Sequence, residues 1–219
     1  MRRLHNMKKI FLAAVVTLGL ACASSTVSQA QDQSRDLSRK VYSDKNLTGP
    51  RTMGFRVGVS AFEASYQHVF RKDQFLQGDF GVDFGYNVNG RPGIRATALY
   101  NFVWARPAWS HRGFWAIYYG PGLSLGYVND IVSYKVGDDV RYTPKSKGSN
   151  GFLLGVAVQV GVEYTLDFPL AIALEMRPVF GMHVNEKVEF GDRHFDGKVG
   201  FYDNGMLGFV PSVAVRYRF

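Results

Sequence analysis

The side chains that could carry acid–base or nucleophilic chemistry lie towards the C-terminal end of this sequence. His183 and Glu186 are close together, His194 follows in a polar stretch, and Ser212 stands near the end of the chain. A serine-type hydrolase needs a nucleophile, a base and a group that orients the base, and no spacing joins these four residues into such a set. We therefore interpret both histidines as exposed loop residues, and we predict no catalytic residue and no cofactor.

Two further segments could bind an ion or a phosphate. Asp192–Asp196 offers oxygen and imidazole ligands, but it lacks the glycine and acidic spacing of a calcium loop, and no second cluster completes a coordination shell. Gly120–Gly122 reads Gly-Pro-Gly, but it has no lysine and precedes no helix. The sequence favours a solvated loop for the first segment and a bend or bulge in a curved strand for the second. We predict no metal site.

Other charged residues stand at every second position of apolar segments. Asp79 and Asp83, for example, alternate with Phe80, Val82 and Phe84. Such period-two alternation indicates β-strands with one apolar and one polar face. The following ten charged residues share the polar face: Arg56, Glu63, Asp79, Asp83, Arg95, Glu163, Glu175, Arg177, Arg216 and Arg218.

The alternation continues from Met53 to the end of the chain without sustained helical periodicity, so the sequence predicts an all-β domain over 53–219. Many of the predicted strands are longer than those of soluble sheets, and they match the 9–11 residues that cross a bilayer at a tilt. We predict about eight strands, over 53–60, 62–70, 75–87, 93–105, 113–128, 151–166, 169–183 and 205–219.

Alternation alone does not distinguish a soluble sandwich from a membrane barrel, but the connections and the aromatic residues do. The links at 71–74, 106–112 and 167–169 are short, whereas those at 129–150 and 184–204 are long and polar. Short turns on one side and long loops on the other are typical of a transmembrane antiparallel up-and-down barrel. The side with short turns also collects candidates for an interfacial aromatic girdle: Phe70, Phe75, Trp104, Trp109, Trp115, Tyr164, Phe168, Tyr217 and Phe219.

The N-terminal region predicts export. Residues 1–30 combine a basic start with no acid, an uncharged run of 14 residues from Ile10 to Ala23 and a small-residue cleavage site, which together indicate a signal peptide. Residues 31–52 are polar and indicate a periplasmic leader or linker. Of the 26 basic residues, four leave with the signal, so the mature charge falls from +8 to +4. The remaining charge is scattered and predicts no nucleic-acid partner. Cys22 leaves with the signal too, unless Gly19–Cys22 acts as a lipoprotein box.

The chain ends on an alternating strand, Val213–Phe219, with an aromatic residue in last position. In this strand the sequence resembles the small outer-membrane β-barrel family of Gram-negative bacteria (OmpA/OmpX-like eight-stranded barrels). The resemblance implies an outer-membrane location with both termini in the periplasm. It also implies contact with outer-membrane lipids and lipopolysaccharide, and an assembly signal at Tyr217 and Phe219 that the barrel assembly machinery reads. We expect a monomer.

An eight-stranded barrel is only wide enough to be filled by side chains, so the ten interior charges must neutralise one another. The sequence therefore predicts a plugged salt-bridge network and a non-enzymatic barrel that serves envelope structure, adhesion or surface interaction. A surface macromolecule could bind through 129–150 and 184–204, where 131–142 and 187–201 continue the strand pattern as hairpins. The alternatives are an outer-leaflet lipid A modifying enzyme, a deacylase for example, a narrow porin-like channel, and a soluble lipocalin-like binder.

Overall fold

The computed structural model describes residues 50–85, 92–130, 133–136, 139–142, 149–185, 187–190, 193–196 and 199–219. Of 133–136, 139–142, 187–190 and 193–196, and of Ser149, it describes the backbone alone. The predicted signal peptide and nearly all of the predicted linker lie outside the described residues. Within them, no helix is both long enough and apolar enough to span a membrane.

The described residues form fourteen strands and one short helix, and ten of these strands belong to one antiparallel sheet. The strands are β1 (Arg51–Val57), β2 (Ala61–Arg71), β3 (Gln74–Asp83), β4 (Gly93–Ala105), β5 (Phe114–Asp130), β6 (Ser133–Val136), β7 (Asp139–Tyr142), β8 (Ser149–Thr165), β9 (Leu170–Met176), β10 (Val179–Asn185), β11 (Lys187–Phe190), β12 (Arg193–Asp196), β13 (Val199–Phe201) and β14 (Ser212–Arg218). A 3-10 helix, Asp203–Phe209, precedes β14.

The sheet closes into a barrel of eight strands, which confirms the predicted all-β antiparallel fold. β9 and β10 together form the seventh strand, because both pair with β8 in one continuous register. Two paths of paired residues lead from Val57 around the barrel to strand seven. The path through β2, β3, β4, β5 and β8 ends at Val184, and the path through β14 ends at Leu174, ten residues away in the same strand. This stagger of ten residues tilts the strands by about 43° from the barrel axis.

Strands seven and eight are interrupted at the same height, where the sequence predicts continuous strands over 169–183 and 205–219. Arg177 and Pro178 separate β9 from β10, and the 3-10 helix occupies 203–209. The strand prediction is therefore wrong over 205–211. The helix lies against the break in strand seven, since the Arg177 amide donates to the Gly208 carbonyl at 2.7 Å.

The remaining connections agree with the predicted division into a short-turn end and a long-loop end. β6 pairs with β7 and β11 with β12 as two separate two-stranded hairpins. This agrees with the hairpin predicted over 131–142 and, for its first part alone, with the one predicted over 187–201. β13 pairs with β10 and belongs to the barrel wall. The sequence predicts a bend or a bulge at Gly120–Gly122, and no bulge lies there, because β5 keeps its register with β8 through these residues. The pairing of β4 with β5 shifts instead at Val103/Ala105.

The two faces of the barrel wall have opposite chemistry. Along β8, outward Val156, Val158 and Val160 are exposed, whereas Ala157 and Gln159 point inward and are fully buried. The same alternation runs along β1 to β5, β9 and β14. The apolar side chains therefore face outward and the polar ones fill the lumen.

Candidate functional site: the interior charge network

The structure places all ten predicted interior charges inside the barrel, and none is more than 9% exposed. Five are arginines and five are carboxylates, so the network is formally neutral. The side chains point inward from β1, β2, β3, β4, β8, β9 and β14, and Arg177 lies at the break in strand seven. These charges can be buried in the lumen only because opposite charges meet, since an unpaired buried charge costs several kcal/mol.

Glu63 joins the ion pairs in the half of the network that lies towards the long loops. It accepts a hydrogen bond from Arg56 Nη1 at 2.6 Å and one from Arg95 Nη2 at 3.1 Å, and it also accepts from Arg177. Arg177 continues to Asp79 Oδ2 at 2.6 Å. One carboxylate thus holds three strands and the break in strand seven together.

Glu175 joins the ion pairs in the half of the network that lies towards the short turns. Its Oε1 accepts from Arg216 Nη2 and from Tyr118 Oη, both at 2.6 Å, and its Oε2 lies 3.2 Å from Arg56 Nε. Tyr118 has room to cross the lumen because its partner on β8 is Gly161, where a Cβ would stand 2.4 Å from the tyrosine ring.

Both ends of the network continue to the ends of the barrel. Towards the short turns, Arg216 and Arg218 approach Glu163 at 3.5 and 3.4 Å. Towards the long loops, Arg95 pairs with Asp83 at 2.6 Å, and the Tyr202 hydroxyl donates to the same carboxylate at 3.3 Å. The charges therefore form one connected chain along the lumen.

Uncharged amides occupy the lumen beside the charges. Gln77 Oε1 accepts from Gln67 at 3.2 Å and from Gln159 at 2.9 Å, while its Nε2 donates to Asp79 at 2.8 Å. Gln67 in turn accepts from the Thr52 hydroxyl. Because buried polar groups are costly unless they are hydrogen-bonded, this ladder extends the network without adding charge.

The lumen is closed by side chains rather than open. Towards the long loops, Tyr202 is fully buried in an apolar cluster with Val128, Leu153 and Val179. Cavities of about 30 Å³ and 20 Å³ lie near the two ends of the network, each with room for one or two waters. Within the described part of the chain, the side chains fill the lumen as the sequence predicts for a barrel of this width.

His183 is not an exposed loop residue, so that interpretation is wrong. It lies in β10, it is buried, and its Nε2 is 3.0 Å from the Val128 carbonyl, to which a protonated nitrogen donates. Its ring stacks on Tyr202 at 6.2 Å. The Ser212 hydroxyl donates to the backbone carbonyl of Glu175. Glu186 and Asp192 lie outside the described residues, and of His194 only the backbone is described.

The aromatic residues at the short-turn end cluster as a girdle would, with one exception. Trp115 contacts Trp109 at 5.5 Å and Tyr164 at 4.7 Å, and Tyr164 Oη donates to the Arg112 carbonyl. Phe75 is the exception, because it has the inward parity of β3 and packs on Tyr118. The other predicted members are at least partly exposed on the outer face: Phe70, Trp104, Phe168, Tyr217 and Phe219.

The predicted assembly signal lies at the seam where the barrel closes. Tyr217 pairs with Met53 of β1 and Leu170 of β9, and the Phe219 amide donates to the Arg51 carbonyl at 2.9 Å. Both rings point outward, and each is about half exposed. The terminal strand is therefore the one that joins the first and the seventh strands.

Comparison with protein-family models, with curated proteins and with solved structures finds no match to this chain. The resemblance to the small outer-membrane barrels therefore remains a prediction. Function has to be argued from the barrel itself.

Proposed function

We propose that this chain is an integral outer-membrane β-barrel that is sealed, non-enzymatic and active at the cell surface through its outer hairpins. The observation that carries the proposal is the reversed distribution of side chains, apolar outside and charged inside. A soluble lipocalin-like barrel requires the opposite, because its apolar face forms the core. Soluble monomers rarely expose apolar patches larger than a few hundred Å².

The dimensions of the apolar face support a bilayer as its surroundings. On β4, outward apolar residues run from Ile94 to Trp104, which spans about 25 Å along the barrel axis at about 3.4 Å per residue and the tilt given above. Outer-membrane barrels carry an apolar band about 25 Å tall. The girdle around Trp109 and Trp115 lies at one border of this band, where amphipathic rings settle.

The filled lumen favours a structural or surface role over a porin-like channel. The carboxylates and arginines neutralise one another across the barrel, and Tyr202 and the 3-10 helix cover the network on the long-loop side. Among the described residues, the hairpins β6–β7 and β11–β12 lie outside the main sheet. Within that part of the chain their outer strand edges pair with no other strand, and a macromolecule can bind to such edges by strand addition.

Cysteine accessibility tests the membrane part of this proposal. The only cysteine, Cys22, falls in the predicted signal peptide, so single cysteines can be placed in an otherwise cysteine-free mature chain. Leu123→Cys reports on the middle of the apolar face and Asp73→Cys on a short turn. Both positions are well exposed, since the Leu123 residue and the Asp73 side chain are each 60% exposed. A water-soluble maleimide is applied to disrupted cell envelopes and to detergent-solubilised protein.

We expect Asp73→Cys to react in disrupted envelopes, whereas Leu123→Cys reacts only after detergent displaces the lipid. A heat-modifiable band on a denaturing gel shows that both variants are folded. Equal reaction of the two cysteines without detergent contradicts the membrane location, because only lipid distinguishes two well-exposed positions.

A further inference from the structure

The outer face of the barrel carries very little charge, and that charge is confined to one place. Across the ten strands of the main sheet, the outward positions that the structure describes hold two charged side chains, Arg51 and Arg71. Apart from His68, the other outward residues are uncharged. Arg51 begins β1 and Arg71 ends β2. The positive charge of the outer face is therefore concentrated on two neighbouring strands at the short-turn end.

The strand register brings the two arginines to one patch. Arg51 lies directly opposite His68 on β2, and cross-strand partners share one face of a sheet. Arg71 pairs with Gln74, whose Oε1 accepts from the hydroxyl of Tyr100 on the outer face, so Arg71 faces outward too. His68 and Arg71 are three residues apart, which puts the Cα atoms of the two arginines roughly 11 Å apart. Their long side chains can therefore meet at one anion between them, and His68 adds a ring N–H donor.

These two arginines keep their charge. Within the part of the chain that the structure describes, no acidic side chain pairs with either of them. The exposed acids of the short-turn end are engaged elsewhere, because Asp73 lies 3.6 Å from Arg106 Nη2 and Asp167 accepts from the Gly113 amide at 2.6 Å. The patch thus differs from the lumen, where each of the five interior arginines meets a carboxylate.

The patch lies where the aromatic girdle meets the apolar face. Phe70 stands beside Arg71, and Phe219 is joined through its amide to the Arg51 carbonyl; both rings are about half exposed. Met53, two positions further along β1, continues the apolar surface away from the short turns. A molecule that fits here has an anionic head for the arginines and apolar chains for the wall.

We propose that the patch formed by Arg51, His68 and Arg71 binds the phosphate of an anionic phospholipid of the phosphatidylglycerol type. The planar guanidinium fork matches the geometry of phosphate oxygens. A zwitterionic lipid carries the same phosphate but brings its own cation, which two unneutralised arginines disfavour. The acyl chains would lie along the apolar face past Met53.

This inference rests on the proposed membrane location, because only a lipid-facing wall meets acyl chains. With the short turns on the periplasmic side, the patch lies at the periplasmic border of the bilayer, where basic residues attract anionic head groups. Vesicles of defined composition provide that border without the cell, so the lipid preference can be measured directly.

The test uses the full mature chain in phosphatidylcholine vesicles, with a bimane label on Met53→Cys beside the patch or on Leu123→Cys, four strands away on β5. Phosphatidylglycerol or phosphatidylcholine with brominated acyl chains is added as the quencher. We expect phosphatidylglycerol to quench position 53 with an association constant at least tenfold above that of phosphatidylcholine, and the two lipids to quench position 123 alike. Soluble glycerol phosphate should leave the preference in place, because it lacks the acyl chains that hold the head at the patch.

Variants of exposed arginines locate the site. Arg51→Gln and Arg71→Gln should each lower the preference about fivefold, which is the effect of one basic residue at a membrane surface. Arg112→Gln is the matched control, because it removes the same charge from the same end of the barrel at an exposed position in the link 106–112. It should leave the preference unchanged. A heat-modifiable band shows which variants are folded, and where one is not, the comparison of the two lipids on the chain with both arginines decides.

The outcomes separate this site from the membrane proposal. If neither lipid quenches position 123, the barrel does not enter the bilayer, and both proposals fall. If both lipids quench position 123 but position 53 shows no preference, the lipid site alone is overturned. It is also overturned if Arg112→Gln lowers the preference as much as the patch variants do, or if glycerol phosphate abolishes it.

Discussion

The half of the charge network that lies towards the short turns depends on Glu175. It is fully buried, and its two oxygens serve Arg216, Arg56 and the Tyr118 hydroxyl. Removing the charge leaves two guanidinium groups buried without full compensation. We expect Glu175→Gln to lower the free energy of unfolding by about 3–5 kcal/mol. The measurement is urea unfolding in detergent or vesicles, followed by the heat-modifiable band.

Glu163→Gln is the matched control for that prediction. Glu163 carries the same charge in the same lumen, but its ion pairs are longer, at 3.5 and 3.4 Å, and it lines the cavity of about 30 Å³ at the short-turn end. Water can therefore compensate part of the lost pairing, and a smaller loss is expected. Equal losses for the two variants would show that ion-pair geometry does not set the stability of this lumen.

At this scale the sequence predicts which charged residues point inward, because strand parity alone decides that. It does not identify Tyr118, Tyr202 or His183 as interior residues. Large rings fit inside only where the opposite strand supplies a glycine, or where a returning segment supplies a contact partner. Both conditions depend on the tertiary structure. Gly161 opposite Tyr118 is the signal that could have been used, once the pairing of β5 with β8 is assumed.

Among the elements, the hairpin β6–β7 is separable from the barrel. In the part of the chain that the structure describes, its two strands pair with each other and with no strand of the main sheet. Replacing 133–142 with a short Gly/Ser turn should leave the heat-modifiable band and the unfolding midpoint unchanged while any surface binding falls. The readouts are the gel and binding of expressing cells to candidate surfaces. Loss of the folded band would show that the hairpin is part of the barrel.

The comparable replacement in the second long connection must stop before β13. β11 and β12 pair as a separate hairpin, but β13 pairs with β10 and Tyr202 closes the lumen. A replacement of 187–196 serves as the parallel test, and one extending through Tyr202 should cost stability as well. Binding that persists after both hairpins are replaced would contradict the surface role proposed for them.

The 3-10 helix shows where period-two reasoning fails for an element. Leu207 and Phe209 stand on either side of Gly208, so 205–211 resembles a strand locally. The structure instead packs Gly205 and Gly208 against strand seven, where a Cβ would stand 1.8 Å from the Val179 carbonyl and 1.9 Å from that of Arg177. Glycines three residues apart share one face of a 3-10 helix, which makes this close packing possible.

For the molecule as a whole, the seam between the first and last strands controls closure. Phe219 lies at its end, outward and hydrogen-bonded through its amide to Arg51. If the terminal aromatic is the assembly signal that the resemblance implies, Phe219→Asp should reduce the heat-modifiable, membrane-inserted fraction several-fold while export continues. Fractionation of periplasm and outer membrane measures both. Normal insertion of the variant would exclude this role for Phe219.

A single charge placed on the outer face also tests whether lipid or water surrounds the barrel, because the two differ in how much that charge lowers the free energy of unfolding. Val160 lies in the middle of the apolar band on β8, and Val199 lies on β13 near its outer border; both are exposed. In a bilayer, Val160→Arg should lower the unfolding free energy by about 2–4 kcal/mol and Val199→Arg by about 0–1 kcal/mol, because the cost of a charge depends on depth. Neighbouring Gln159 is a poor control despite its polar parity, since it is fully buried and hydrogen-bonded to Gln77. Urea titration in lipid vesicles gives the two values. A barrel surrounded by water would tolerate both arginines alike, and that result would reject the membrane location.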